Sequence, residues 1–223
     1  MMSIKKLSVL FLLFAFCTIS AQQYKNPEYI KVTNERAAKI VAKLELANPA
    51  KEKAVTDVIA QQFRDLSKIQ DERDAEIKKV KEDSSLSKEK QNEKIDKQKE
   101  DATKSIDKLH ASYLKKLGKH LNEDKITGVK DGMTYGVLPI TVTAYNDMIP
   151  TLTKEEKEFI YNALVEAREH AMDGGSSDEK HAWFGKYKGR INNYLSKRGY
   201  DLNKEREGWN KRIEERKKAE AAK

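Results

Sequence analysis

The segment from Arg64 to Lys108 constrains the fold most, because charged side chains dominate it. Its 45 residues carry 13 basic and 13 acidic side chains. The large aliphatic side chains of the segment are Leu66, Ile69, Ile77, Val80, Leu86, Ile95 and Ile106. Such a composition is typical of a solvated helix and not of a core. With only four prolines and ten glycines in 223 residues, the whole chain favours helices over a β-sandwich with many turns.

The charged segment is interrupted once, and the interruption predicts a hairpin. The run Asp83–Ser87 contains three serines, and Ser87 is well placed to cap a new helix. We expect a long antiparallel helical hairpin whose arms, at some 30 residues, reach roughly 45 Å. Before it, Asn34 is expected to cap a short helix that Pro49 interrupts, and a second helix begins near Ala50. Such an arm serves as a spacer or clamp, or is simply a solvated structural hairpin.

Residues 1–21 have the pattern of a signal peptide. Lys5 and Lys6 form a basic start, an apolar run ends at Cys17, and cleavage is expected after Ala21. The apolar run is too short to span a bilayer stably. Cys17 is preceded by Phe16, where a lipid-anchor site normally has a small residue, so a lipoprotein is not expected. We expect export to a periplasm or beyond, with no thiol and no transmembrane segment left in the mature chain.

Composition divides the mature chain into three parts. Residues 22–121 hold the N-terminal helices and the long charged hairpin, and residues 122–202 form a helical core rich in glycine and tyrosine. Residues 203–223 are a charged C-terminal helical tail. Seven of the ten glycines and six of the nine tyrosines lie between positions 129 and 201, so any chemistry belongs there. The expected fold is all-α, a long charged antiparallel helical hairpin plus a C-terminal helical bundle.

Two strong helices are expected in the middle part, and their charges differ in sign. Thr153 caps the first, which stops at Gly174–Gly175; Ser176 and Glu179 form a capping box for the second. Residues 153–179 carry eight acids and three bases, whereas positions 180–200 carry six bases and no acid. Either the two helices pack together and satisfy each other's charges, or the basic helix keeps a face for an anionic or polyhydroxylated ligand.

One face of the basic helix suggests a ligand site. Helical spacing places Trp183 on the same stripe as Lys186, Arg190, Asn193 and Lys197. An indole beside fork donors suits a sugar, since the ring packs against C–H groups and the donors bind hydroxyl pairs. Phosphate contacts with base stacking would look similar. The candidate ligand-binding residues are Trp183, Lys186, Arg190, Asn193, His181, Tyr135, Tyr187 and Tyr200.

A further stripe of the same helix contains two glycines. Gly185 and Gly189 lie four residues apart, and each costs about 1 kcal/mol relative to alanine inside a helix. Such a spacing indicates that something approaches the backbone closely. Packing against another helix would explain it, and so would a ligand lying along the groove.

A catalytic or metal site can be drawn, but no established motif supports it. Glu166, His170 and Asp173 share a helix face at i, i+4 and i+7, and His181 could approach across the turn. A hydrolase or lyase that uses His170 or His181 with a carboxylate is therefore one hypothesis, and ordinary salt-bridge partners are the alternative. No nucleotide-binding loop, nucleophile elbow or dinucleotide fingerprint occurs, so no cofactor is expected and no catalytic residue is assigned.

Three stretches resemble a known family: Val129–Gly136, Ala167–Ser177 and Glu179–Leu195. They are similar to a secreted sugar-binding family of unknown function (domain of unknown function 3826) from polysaccharide-degrading Gram-negative bacteria. The resemblance extends from about Asn34 to Trp209. It implies an all-helical exported protein encoded near glycan-utilisation machinery, and it brings no catalytic residues.

A weaker likeness keeps a second function open. Leu121 and Leu152 each begin a polar helix opening that is similar to the Leu-Thr-x-x-Gln opening of small periplasmic chaperones, although the glutamine is absent. A chaperone or scaffold is therefore the alternative to our main hypothesis. That hypothesis is an exported, non-catalytic binding protein for carbohydrate, with an acidic glycan as one candidate ligand. Cleavage would remove Lys5 and Lys6 and lower the formal charge from +8 to 8 − 2 = +6. That charge would attract nucleic acid or lipid head groups nonspecifically, and no specific nucleic-acid partner is expected. The oligomeric state is left open.

Overall fold

The computed structural model describes residues 26–221, and within that range the regular structure is entirely α-helical. The described helices are α1 (Pro27–Ala42), α2 (Pro49–Glu82), α3 (Lys88–Leu117), α4 (Glu123–Met133), α5 (Val137–Met148), α6 (Lys154–Ala171), α7 (Ser177–Lys197) and α8 (Leu202–Ala221). They form two compact units that divide between His120 and Leu121. The expected all-α class is confirmed. The expected signal peptide lies outside the described residues.

The first unit contains the long helical hairpin, in which α2 packs against α3. Ser87 begins α3 as expected, because its hydroxyl accepts the backbone N–H of Lys90 at 3.3 Å. Asn48 begins α2 by accepting the backbone N–H of Lys51 at 3.1 Å. Pro49 occupies the first turn of α2, where its missing N–H leaves no helical hydrogen bond unmade.

The hairpin has little interior along most of its arms. The buried apolar side chains of α2 and α3 are Val55, Ile59, Ala60, Leu66, Ala102, Tyr113 and Leu117. From Lys88 to Asp101 no residue of α3 is buried. Exposed ion pairs one helical turn apart, such as Lys97 with Asp101 at 2.8 Å, contribute only about 0.3–0.5 kcal/mol each. The charged segment is therefore a solvated helix, as its composition predicts.

The first helix begins earlier than the sequence suggested. Asn26, not Asn34, caps α1, and its side chain accepts the backbone N–H of Glu28 at 2.9 Å. Pro27 follows at the first helical position, which makes Asn26–Pro27 the stronger start signal. Asn34 lies within α1, where its side-chain oxygen accepts a hydrogen bond from Arg64 of α2 at 3.4 Å. The expectation that Asn34 starts the helix was therefore wrong.

The second unit is built around the pair of α6 and α7. Their expected apolar faces meet and form most of one core cluster, and α5 adds to it. The buried members from α6 and α7 are Ile160, Ala163, Leu164, Ala167, Ala171, Phe184, Tyr187, Ile191 and Leu195. The α5 side chain Tyr145 donates its hydroxyl to Asn192 of α7 at 2.7 Å. Burial raises the pKa of Tyr145 to about 12, so its hydroxyl remains a donor at neutral pH.

The last helix, α8, is attached mainly by polar contacts, and none of its residues is buried. Trp209 donates its indole N–H to the Asp147 carboxylate of α5 at 2.7 Å. Arg212 donates to the backbone carbonyl of Asp147 at 2.8 Å, and Arg216 pairs with the same carboxylate at 2.7 Å. Trp209 thus attaches α8 to α5 as a hydrogen-bond donor. Within the described residues, every helix is too short or too polar to cross a membrane.

Candidate functional site on α7

The turn between α6 and α7 fixes where the basic helix begins. Ser176 caps α7 by accepting the backbone N–H of Glu179 at 3.1 Å. The Glu179 carboxylate accepts the N–H of Gly175 at 2.7 Å, so it does not close the expected capping box on Ser176. The expected box is thus only half present, because a neighbouring turn N–H takes the carboxylate.

A buried lysine ties α7 to the end of α6. Lys180 is 7% exposed, and its ammonium donates to the carbonyls of Ala171 and Met172 at 3.2 Å each. These carbonyls end α6, where the helix dipole favours a cation. Gly174 lies directly beneath, since a Cβ there would come within 3.1 Å of the Lys180 side chain and 3.3 Å of its backbone nitrogen. The close turn therefore favours glycine at this position, because a larger residue would force its neighbours to shift by a few tenths of an ångström.

The outer face of α7 forms one side of a groove with a volume of about 590 Å³. Its lining residues are Phe159, Lys186, Gly189, Arg190, Asn193, Tyr194 and Lys197. Three of them are cations, one is an amide, and none of these described residues is acidic. Phe159 of α6 and Tyr194 of α7 stack with ring centroids 3.8 Å apart and planes inclined by 18°. The groove therefore combines a paired aromatic surface with a basic and amide surface.

Arg190 has a partner on the acidic helix. Its guanidinium lies 3.0 Å from the Glu166 carboxylate, and both side chains are more than half exposed. The same guanidinium lies 5.9 Å from the ring centroid of Tyr187. Burial raises the pKa of the Tyr187 hydroxyl, and the nearby Glu166 charge adds to that effect. Glu166 and Arg190 thus support the view that the two helices satisfy some of each other's charges, but an exposed pair of this kind contributes little.

Trp183 lies beside this basic stripe but is not among the residues that line the groove. Its indole stacks on His170 of α6, with centroids 4.3 Å apart and planes inclined by 16°. The Lys186 ammonium lies over the indole, 4.8 Å from its centroid. Stacking on His170 covers one ring face, so less of the indole is free for a ligand than the sequence suggested.

Tyr135 and His181 meet on a different side of α7. Their rings stack with centroids 6.0 Å apart. His181 and Trp183 are two residues apart in a helix and therefore point about 200° apart around its axis. Tyr135 is 57% exposed and has a backbone φ of 59°, the left-handed region that non-glycine residues rarely adopt. The predicted ligand residues are consequently not gathered in one place, since His181 and Tyr135 lie apart from Trp183 and the predicted Tyr187 is buried in the core cluster.

Tyr200 belongs to a structural cluster at the far end of α7. Its hydroxyl donates to the Glu156 carboxylate at 2.8 Å, and Arg198 donates to the same carboxylate at 3.1 Å. The backbone N–H of Thr153 also reaches Glu156, at 2.9 Å, which completes the capping box of α6. This backbone hydrogen bond, together with Tyr200 and Arg198, lowers the pKa of Glu156 to about 2. The cluster fastens the end of α7 to the start of α6.

A comparison with known families finds a match over most of the chain. Residues 30–215 match a family described as "Protein of unknown function (DUF3826)". The chain belongs to this family. A comparison with curated proteins finds no match. The family description names neither a ligand nor a reaction, so the function of this DUF3826 protein has to be inferred from its own geometry.

The two helix glycines of the DUF3826 chain face open space. An added Cβ at Gly185 or Gly189 would meet no atom within 4 Å, and both residues are exposed. Packing against another helix, the simpler explanation of their spacing, is therefore wrong for the described structure. Gly189 itself lines the groove. The second explanation, a ligand that lies along this backbone, is still available.

The candidate metal and acid–base residues have other neighbours. Glu166 pairs with Arg190, His170 stacks on Trp183, and His181 stacks on Tyr135. Asp173, which shares the predicted helix face with Glu166 and His170, lies in the turn after α6. A search of the described residues finds no group of three or more His, Cys, Asp or Glu side chains that could hold a metal ion. A hydrolase or lyase reaction stays an untested prediction.

The sequence predicted the basic and amide residues of the groove on α7, but not its aromatic pair. Lys186, Arg190 and Asn193 were predicted from their spacing along α7. Phe159 and Tyr194 were not, because their stacking depends on how α6 and α7 pack side by side. The sequence did contain one indication that Phe159 could contribute to a site, since Phe159 is the only large aromatic residue besides Tyr161 on the acidic helix.

Proposed function

We propose that this DUF3826 protein is an exported, non-catalytic carbohydrate-binding protein whose ligand is an acidic glycan. The groove on α7 carries the proposal, because its lining has three cations and an amide, and no carboxylate among the described lining residues. A neutral sugar would leave Lys186 and Lys197 without a counter-charge, whereas a carboxylate or sulfate group would pair with them.

The other groups of the groove suit the rest of a sugar. The Asn193 amide can donate to one hydroxyl and accept from another. The Arg190 guanidinium offers several donors in a planar fork, although Glu166 already occupies part of it. The Phe159–Tyr194 pair is half-buried and supplies apolar surface for C–H groups. A polyhydroxylated anion therefore fits this lining better than a purely apolar or purely ionic ligand.

Export is part of the proposal and rests on the N-terminal sequence. Lys5 and Lys6, the apolar run that follows, and the small residue Ala21 have the order of a signal peptide. An exported protein would meet extracellular or periplasmic glycans, which is consistent with a glycan ligand. N-terminal sequencing of the secreted protein should begin at Gln22.

The test is a glycan array of the mature protein at two salt concentrations, with neutral and acidic polysaccharides side by side. The proposal expects binding to a restricted set of acidic glycans that weakens with salt but survives at physiological ionic strength. Binding to every polyanion that disappears with salt would contradict a specific site. No glycan binding at all would favour the chaperone alternative, which a client-aggregation assay can then examine.

A pair of lysine variants provides the matched control for location. Lys197 lines the groove, whereas Lys188 is also exposed on α7 but points about 180° away from Lys197 around the helix axis. Lys197→Gln and Lys188→Gln remove the same charge. Lys197→Gln should weaken glycan binding about fivefold, as expected for the loss of roughly 1 kcal/mol. Lys188→Gln should change it much less, and equal losses would show that only net charge matters.

A further inference from the structure

The cations of the groove are spread along α7 and not gathered around one point. Lys186, Arg190 and Lys197 are separated by four and then seven residues. At 1.5 Å per residue, the first and last of them lie about 16 Å apart along the helix axis. A single sugar unit could meet both ammonium groups only if both lysine side chains stretched toward each other along the helix axis. A ligand that contacts both lysines without such stretching is therefore a chain.

Gly189 leaves the helix backbone uncovered at the groove, and Gly185 does the same on the neighbouring stripe. Gly185 and Gly189 are exposed, and nothing lies within 4 Å of where their side chains would begin. Gly189 lies between Lys186 and Lys197 in the groove lining. Each glycine makes α7 less stable than alanine would, and no contact in the described residues offsets that loss. A ligand that passes over the backbone between the two lysines would account for glycine here.

We propose that the groove binds the interior of a linear acidic polysaccharide that lies along α7. Lys186 and Lys197 contact acidic groups on different sugar units of the same chain, and the backbone at Gly189 allows the chain to pass between them. This inference rests on the proposed glycan-binding function and adds that the ligand is recognised as a polymer. A site that recognised a single sugar at the end of a chain would instead have its cations gathered around one point.

A nucleic acid strand would also bring anionic groups at regular intervals, but the aromatic groups favour a polysaccharide. Single-stranded nucleic acids bind proteins largely by stacking their bases on free faces of aromatic side chains. Here Phe159 and Tyr194 stack on each other at 3.8 Å, and Trp183 stacks on His170 at 4.3 Å. These contacts leave fewer faces for bases, whereas sugars can use ring edges, the Asn193 amide and the cations.

The experiment measures affinity against ligand length with the whole mature protein. The probes are the monomer, dimer, tetramer and hexamer of galacturonate, mannuronate and chondroitin, with neutral cello-oligomers and oligo-dT of matched charge as comparisons. For at least one acidic series, affinity should rise at least tenfold from monomer to hexamer and should reach a plateau. A monomer that binds as tightly as the hexamer overturns the inference while leaving glycan binding intact. No binding of any acidic glycan overturns the proposed function itself, and tighter binding of oligo-dT overturns the choice of polymer.

Two substitutions at one position separate an effect on the ligand from an effect on folding. Gly189→Ala and Gly189→Gln both remove the helix penalty of glycine, so both should raise the thermal midpoint. Only Gly189→Gln places a long side chain in the groove, and it should weaken hexamer binding at least fivefold while changing monomer binding less. If Gly189→Gln is more stable than the wild type and binds the hexamer equally well, the chain does not cross this backbone and the inference is wrong.

Discussion

At the scale of single residues, buried and close-packed polar groups determine how α6 and α7 are held together. Glu156 is 3% exposed and accepts hydrogen bonds from Tyr200, Arg198 and the Thr153 backbone. At the other end of the pair, Lys180 binds the last carbonyls of α6 over Gly174. Both ends of the pair are therefore fixed by charged side chains.

Replacing Glu156 with glutamine should destabilise the protein by about 1–3 kcal/mol, because charge-assisted hydrogen bonds to Arg198 and Tyr200 become neutral ones. The free energy of unfolding in urea measures this. Glu155→Gln is the control, since Glu155 is largely exposed and lies 3.7 Å from the same arginine. Equal losses for the two variants would contradict the role assigned to the buried carboxylate.

The same carboxylate should make stability depend on pH. Its pKa is about 2 in the folded protein and about 4.5 without these contacts, so the unfolded state binds a proton more readily. The contribution of Glu156 is therefore fully present above about pH 4.5 and is lost as the pH falls towards 2. Urea unfolding across this range should show a shallower fall in Glu156→Gln than in the wild type, and parallel curves would contradict the assignment.

Two glycine-to-alanine substitutions should change the thermal midpoint in opposite directions. At Gly174 the added Cβ would lie 3.1–3.3 Å from Lys180 and from the carbonyl of Ala171, so Gly174→Ala should lower the thermal midpoint. At Gly185 no atom is within 4 Å, and Gly185→Ala should raise the midpoint by relieving a helix penalty of about 1 kcal/mol. Calorimetry of both variants checks this. A rise for both would mean that the turn at Gly174 relaxes easily.

At the scale of elements, capping residues made several of the helices predictable. Ser87, Thr153 and Ser176 each begin a helix where the sequence placed one. The failure at Asn34 arose because two asparagines compete and only the first precedes a proline. The sequence of one helix does not show which of its side chains contact the side chains of another helix. The contacts of Phe159 with Tyr194 and of Trp183 with His170 depend on the register of α6 against α7, and this register decides what the groove offers.

The last helix provides an element-scale prediction. Because α8 has no buried residue, its attachment should depend on the hydrogen bond from Trp209 to Asp147. Trp209→Phe keeps an aromatic ring but removes the donor, and it should increase hydrogen exchange along α8 about fivefold, as expected for a loss of roughly 1 kcal/mol. Lys217→Ala, which removes only an exposed pair within α8, is the control. Unchanged exchange in Trp209→Phe would show that apolar contacts hold the helix.

At the scale of the whole molecule, a charged hairpin and a helical bundle with a basic groove make up the described protein. The hairpin has balanced charge and little interior, whereas the second unit has one apolar core and concentrates six cations in positions 180–200. This separation of composition was visible in the sequence. The candidate ligand site within the second unit was only partly predictable, because His181 and Trp183 lie on different sides of α7 and Tyr187 is buried in the core.

The most direct test of our account is to map where an acidic glycan binds, by following backbone amide resonances of the labelled protein during titration. Glycines provide natural probes, since Gly189 lies on the proposed path and Gly118 and Gly208 lie in other helices or their caps. The account predicts shifts centred on Gly189, Arg190 and Asn193, with Gly118 and Gly208 unchanged. Shifts centred on Tyr135 and His181, or spread along the charged hairpin, would contradict it.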